Sequence, residues 1–142
     1  MQEKPDYYYN QSAVMPYRHS LNLYEILMIT SRKKKRWVIP KGIIEPELSP
    51  PESAAKEALE EAGIEGIVSD SPIGRYQYDK WGGTCSVQVF VMHVEKVFNN
   101  WPESYRDREW VSLETAIERV TENQLKDILR DLPAFLEANK GA

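Results

Sequence analysis

The stretch Ser49 to Gly63, SPPESAAKEALEEAG, marks both ends of its own helix and constrains the fold more than any other part of the chain. Ser49 is an N-cap, Pro50 suits the first helical position, and Glu52 completes a capping box in which each residue satisfies the other's backbone N–H. Gly63 supplies the stop. Between them Ala55, Ala58, Leu59 and Ala62 form an apolar stripe whose small side chains let the helix sit close to a sheet. The same spacing gathers Glu57, Glu60 and Glu61 towards one face. Like charges at this spacing on an exposed helix cost only about 0.2–0.5 kcal/mol per pair, so a solvated acidic face accounts for the three glutamates taken alone.

The segments around this helix read as strands and turns. Ser12 to Arg18 and Tyr24 to Thr30 are apolar, strand-length runs that predict a hairpin or neighbouring strands. Trp37 to Ile39 is a short strand ending at Pro40, and KGIIEPELSPPE, broken by one glycine and three prolines, is a surface loop. Ile73 to Asp79 and Cys85 to Val97 predict strands around the turn KWGG, and Arg108 to Val111 a further short strand. Leu113 to Val120 and Asn123 to Ala138 are helical, the second broken or kinked at Pro133. Strands, one helix, more strands and then helices make an α+β or α/β sandwich.

A chain of 142 residues without repeat or linker is expected to be one domain spanning 1–142, with residues 1–11 as a tail or leading strand. The net charge of -4 disfavours broad binding to DNA or other nucleic acid, and no apolar run is long enough to span a membrane. The polar N-terminus has no signal-peptide pattern, and the single cysteine, Cys85, excludes an internal disulfide, so a cytoplasmic location is expected. Nothing in the sequence selects an oligomeric state. His19 and His93 lack metal-ligand spacing, which disfavours zinc. Trp37, Trp101 and Trp110 read as packing residues, and Tyr76, Tyr78 and Trp81, near a turn, as better candidates for stacking on a base.

From Gly42 the chain reads GIIEPELSPPESAAKEALEEAGI, which resembles the Nudix box, Gx5Ex7REUxEExGU, where U is aliphatic. Gly42, Glu57, Glu60, Glu61, Gly63 and Ile64 fall on its fixed positions without insertion or deletion, and Ala58 occupies the first U. Two positions depart. The first box glutamate is Leu48, with Glu47 one residue early, and the arginine is Lys56, which keeps the charge but loses the planar fork. WVIPKG, EEAGIEG and REWVSLETAIERV further resemble the diphosphoinositol polyphosphate and diadenosine polyphosphate phosphohydrolase branch and its bacterial relatives.

The resemblance implies an α/β/α sandwich with a mixed central sheet and a Mg2+-dependent hydrolase of a phosphoanhydride, in a dinucleoside polyphosphate or an inositol pyrophosphate. Nucleoside triphosphates, ADP-sugars or RNA 5′ ends form the second choice, and a catalytically weak nucleotide-binding module the third. It implies Glu57, Glu60 and Glu61 as metal ligands, with the Lys41 carbonyl as a further one, Lys56 orienting the carboxylates, and Glu57 as first choice of base. Gly42 and Gly63 would be structural. Three carboxylates this close must raise their pKa values or bind a counter-cation, and hard Mg2+, or Mn2+, suits oxygen ligands. The basic run RKKKR, Arg32 to Arg36, is either a solvated connection or a cationic rim; Arg18, Arg32 and Arg36 are the expected phosphate contacts because guanidinium forks match phosphate oxygens. Glu103 and Glu109 are further acids that a later loop or strand could supply.

Overall fold

The computed structural model describes residues 1–139; the last positions of the expected domain, 140–142, lie outside the described residues. A single 3-10 turn, Asp6–Tyr9, leads into β1 (Asn10–Ser20), β2 (Leu23–Thr30), β3 (Trp37–Val38) and β4 (Lys41–Ile43). Helix α1 (Pro50–Ala62) follows, then β5 (Ile64–Val68), β6 (Gly74–Lys80), β7 (Gly83–Val97), β8 (Arg108–Ser112), α2 (Leu113–Arg119), α3 (Asn123–Arg130) and α4 (Leu132–Ala138).

The strands form one mixed sheet with the path β3-β2-β1-β7-β5, while β4 pairs with β1, β6 with β7 and β8 with β2. Only β1 and β7 run parallel, from Asn10 opposite Ser86 to Tyr17 opposite His93; the other pairings are antiparallel. Strand alternation sorts the side chains into two cores. Ala13, Met15, Ile26, Met28, Val87 and Val89 face one side and pack with Ala116, Leu125, Leu129 and Leu132 of α2–α4. Val14, Leu27, Ile29, Phe90 and Met92 face the other and pack with Ala54, Ala58 and Ala62 of α1. The result is the expected α/β/α sandwich.

Both two-residue hairpin turns carry left-handed backbone, as that turn type requires. They are Leu21-Asn22, with φ of 50° and 66°, and Trp81-Gly82, with φ of 53° and 68°. Two elements differ from expectation. Lys41–Ile43, read as the start of a loop, is a strand because its backbone pairs with Gln11 to Ala13. Ile64–Val68 pairs with β7 across a bulge at Glu65/Gly66, and that bulge masks its alternation. Of the segment read as a tail or leading strand, Asp6–Tyr9 form the 3-10 turn and Asn10 and Gln11 open β1, with Tyr9 and Gln11 buried. In α1, Leu59 is exposed and Ala54 takes its place in the core. None of the described helices is long and apolar enough to cross a membrane.

Candidate active site

Helix α1 is fixed at both ends by its own residues. The Ser49 N–H donates to Glu52 Oε1 (2.8 Å) and the Glu52 N–H to Ser49 Oγ (3.2 Å), while Gly63, at φ 65°, donates its N–H back to Ala58 and Leu59. Trp101 Nε1 donates to the Glu61 carbonyl (3.1 Å), bracing the last turn. With the alanine stripe against the sheet, Glu57 and Glu61 project towards β4. The Lys41 N–H donates to Glu61 Oε1 at 3.3 Å. A Cβ at position 42 would lie 2.6 Å from Glu57 Oε1, so glycine is required for the strand and this carboxyl to occupy adjoining space.

The Glu57 and Glu61 carboxyls adjoin, and a protonated Glu61 donates to Glu57, which favours the proton on Glu61 and the charge on Glu57. Burial, their hydrogen bond and the Glu57 charge push Glu61 up to about 8, against the pull of Arg106 and the Lys41 N–H. Burial also raises Glu57, with help from Glu60 and Glu103. Glu60 is placed differently. Its side chain is 39% exposed and 3.9 Å from Lys56 Nζ, so the structure brings two of the three expected carboxyls together and holds the third to one side. Among the described residues, no three histidine, cysteine or acidic groups already surround a cation position.

Glu57 and Glu61 line a cavity of about 710 Å³ together with Gly42, Glu45, Lys41, Arg32 and Arg36. Arg36 Nη1 is steadied by Thr121 Oγ1 (2.8 Å) and Glu122 Oε2 (3.2 Å). Lys41 Nζ donates to Tyr78 Oη (2.8 Å) and Gln11 Oε1 (3.1 Å); burial, then the neighbouring Lys80, lowers its pKa. The structure does not bring Arg18 to this cavity. Arg18 instead pairs with Glu25 (2.7 Å) and lies 4.2 Å over the Trp110 ring, because its strand end faces β8 across β2. Lys56 also lies off the cavity lining, bonded to Glu45 Oε1 at 2.7 Å.

Sequence reasoning missed several lining residues. Arg106 is buried, donating to Glu103 Oε1 (2.9 Å) and the Thr30 carbonyl (3.0 Å), and no motif marked its loop. Lys80 stood visibly beside the turn tryptophan, while Tyr7, Tyr8 and Gln11 were hidden by reading their segment as peripheral. Trp81 does line the cavity, whereas Tyr76 is buried in the core and Tyr78 lies behind Lys41. Glu109 is paired with Arg119 (3.0 Å), and His19 and His93 stack on different tyrosines, Tyr24 and Tyr17.

These residues fit a hard divalent cation. The buried Glu61 carboxyl, which burial keeps protonated, and the half-buried Glu57 beside it offer oxygen ligands of the type such an ion takes. The backbone of Lys41 adjoins them.

The model of the NUDIX domain matches residues 14–132. The chloroplastic Nudix hydrolase 21 of Arabidopsis thaliana is 37% identical over 122 residues, covering 81% of this chain and 61% of that protein. The mitochondrial Nudix hydrolase 12 of the same plant is 33% identical over 107 residues, 69% of this chain and 53% of that one. Diphosphoinositol polyphosphate phosphohydrolase 3-beta of Bos taurus is 29% identical over 116 residues, 80% of this chain and 70% of that protein. The chain thus spans about half to two thirds of the length of the plant relatives. A crystal structure of a C. elegans Ap4A hydrolase binary complex shares the fold, with a TM-score of 0.77 at 23% identity over 91% of this chain and 98% of that one.

Proposed function

The chain belongs to the Nudix family, and from that premise we propose that it is a Mg2+-dependent pyrophosphohydrolase acting on a dinucleoside polyphosphate or an inositol pyrophosphate. The observation that carries this reading is the pair of buried Glu61 and half-buried Glu57 sharing one cavity with Arg32, Arg36 and Lys80. A carboxyl pair alone repels a polyphosphate; joined to a cation and set among these basic side chains, it receives one. The relatives named for diphosphoinositol polyphosphates and for Ap4A support the two substrate classes.

Glu57 and Glu61 would hold the cation, with Glu60, held only at 3.9 Å by Lys56, as third carboxylate and the Lys41 carbonyl as a further ligand. Bound there, the ion supplies charge neutralisation on phosphate oxygens and lowers the pKa of water; Mn2+ can replace Mg2+. Around it the chain's own groups do the rest. Arg32 and Arg36 bind phosphate oxygens, and Glu57, which lines the same cavity, accepts a proton from the attacking water. Arg106 fixes Glu103 and places positive charge near Glu61. Lys56 ties α1 to the loop before it through Glu45, a positioning role. No covalent intermediate is needed for displacement at phosphorus. The two glycines serve the geometry: Gly42 clears space for Glu57, and Gly63 ends the helix. Cys85, free and buried, supports a reducing compartment such as the cytoplasm.

The test is product release from diadenosine polyphosphates, inositol pyrophosphates, ADP-ribose and nucleoside triphosphates, with and without Mg2+, for the wild-type chain and Glu61→Gln. Metal-dependent release from one of the first two, lost in Glu61→Gln, is expected. Absence of turnover on every substrate, or a preference for ADP-ribose, overturns the reading.

A further inference from the structure

On β1, alternation gives Gln11 the same face as Ala13 and Met15, which enter the apolar core. Gln11 is polar and yet only 3% exposed, at the point where this row reaches the cavity. Its side chain is bonded at both ends. Gln11 Oε1 accepts from Lys41 Nζ (3.1 Å) and Tyr78 Oη (2.8 Å), and Lys41 Nζ donates in turn to Tyr78 Oη (2.8 Å). Gln11 Nε2 donates at longer range to the Tyr8 carbonyl (3.4 Å) and Cys85 Sγ (3.8 Å). Strands β1, β4 and β6 thus meet in one polar triangle of Gln11, Lys41 and Tyr78.

The triangle leaves its one charge unanswered. Among the described residues Lys41 Nζ is in no ion pair, and Glu61 and Glu122 act on it only from longer range. An ammonium has three N–H donors, and here two go to neutral oxygens. The third has no acceptor among the described residues. Charges withdrawn from water are ordinarily paired, so a half-buried ammonium that lines a cavity is completed by an anion the chain does not supply. Residue 11 decides this. A glutamate there would pair with Lys41 and cancel its charge, and an apolar residue would release the side chain; glutamine anchors the lysine and leaves the charge available.

We infer that Gln11 is a positioning residue: with Tyr78 it holds the Lys41 ammonium, its charge uncancelled, at the cavity as a contact for a phosphate of the substrate. The inference rests on the hydrolase reading above and adds to it a cation fixed from beneath. The Lys41 backbone N–H bonds Glu61 while its side chain bonds Gln11 and Tyr78, so this one residue joins the carboxyl pair to the cationic part of the cavity. A free lysine loses rotamer freedom when it takes up a phosphate. One already held at two points loses less, and the phosphate binds more tightly. Lys80 lines the same cavity, is likewise in no ion pair among the described residues, and adds to the same field.

Binding of inorganic tripolyphosphate to the full chain, measured by calorimetry in EDTA, tests this without turnover. Gln11→Met keeps the volume and removes the acceptor; it should weaken binding on the order of tenfold, the size of one charge-assisted hydrogen bond. Lys41→Met should weaken it by at least as much. Because Gln11 acts through Lys41, the double variant should bind no more weakly than Lys41→Met alone, whereas a merely structural role makes the two losses multiply. In the hydrolysis assay the Gln11→Met loss should fall on KM, with kcat held within about twofold. Wild-type affinity in Gln11→Met, multiplied losses in the double variant, or a loss in kcat alone overturns the inference. If Gln11→Met fails to fold, Tyr78→Phe, which removes the other anchor, enters the same comparison with Lys41→Met. Failure of hydrolysis on every substrate would instead sink the parent reading, and the binding comparison would still decide this one.

Discussion

Lys56 Nζ lies 2.7 Å from Glu45 Oε1, tying the middle of α1 to the loop that carries the chain from β4 into the helix. Glu45 is held a second time, its N–H donating to Ser53 Oγ at 3.1 Å. The hydrogen bond to Glu45 raises the lysine's pKa, so the ammonium is a permanent charge at this point. The box departure at Lys56 thus comes with a partner of its own: the lysine lacks a fork but holds one acid of the loop. That loop follows directly on β4, whose Lys41 and Gly42 backbone lies against Glu61 and Glu57, so the contact bears on where the carboxyl pair sits.

Lys56→Met should therefore lower turnover by about tenfold, through looser placement of the carboxyls, while leaving the melting temperature nearly unchanged because the pair is exposed. Lys56→Arg should keep activity. Steady-state kinetics on the substrate found in the hydrolysis panel check both, and full activity in the methionine variant would show that the contact does not position the site.

Gly42→Ala should separate stability from function. The added Cβ would meet the end of the Glu57 side chain, which can swing away, rather than backbone. The folding cost should stay near the lower end of overpacking, about 1 kcal/mol, while displacement of Glu57 lowers turnover on the order of a hundredfold. Thermal melts and kinetics on the same preparation measure the two; a variant that unfolds without losing specific activity contradicts the assignment.

Much of this site was legible because its signals are local. The cap at Ser49, the stop at Gly63 and the spacing of Glu57, Glu60 and Glu61 can be read from adjacent residues, and the structure places α1 as they dictate. Long-range packing was not legible. Arg106 enters the site from a loop with no pattern, held by the Thr30 carbonyl across β2, and Tyr7 and Tyr8 reach it because Tyr9 bonds a turn far along the chain. Arg18 shows the converse. A guanidinium at a strand end looked available to phosphate, yet cross-strand pairing sets it against Glu25 and Trp110.

Arg106→Met should destabilise the fold by about 2–3 kcal/mol, less than for a fully buried ion pair because Glu103 retains 22% of its side-chain exposure. The loss comes from the Thr30 carbonyl and the Glu103 carboxylate left without their donor. Denaturant unfolding measures it. A change below about 0.5 kcal/mol would mean that water replaces the guanidinium freely.

The carboxyl pair should make metal-free stability fall as pH rises. Glu61 is raised to about 8 in the folded chain, and an unfolded glutamate titrates near 4.3. Between those values the folded state holds a proton that the unfolded state has released, so each step up in pH favours unfolding. The stabilisation is complete below about 4.3 and gone by about 8, with Glu57, raised in the same direction, adding to the slope. A cation that takes the proton's place reverses the trend, because it binds the ionised pair of the folded state. Melting temperatures in EDTA should thus decline from pH 5 to pH 8, and added Mg2+ should restore them at pH 8 while doing little at pH 5. Glu61→Gln carries no titrating proton at that position and should flatten the decline and remove the response to Mg2+. If the variant keeps the wild-type slope, the titration belongs to other groups, and if it keeps the Mg2+ response, the cation binds elsewhere.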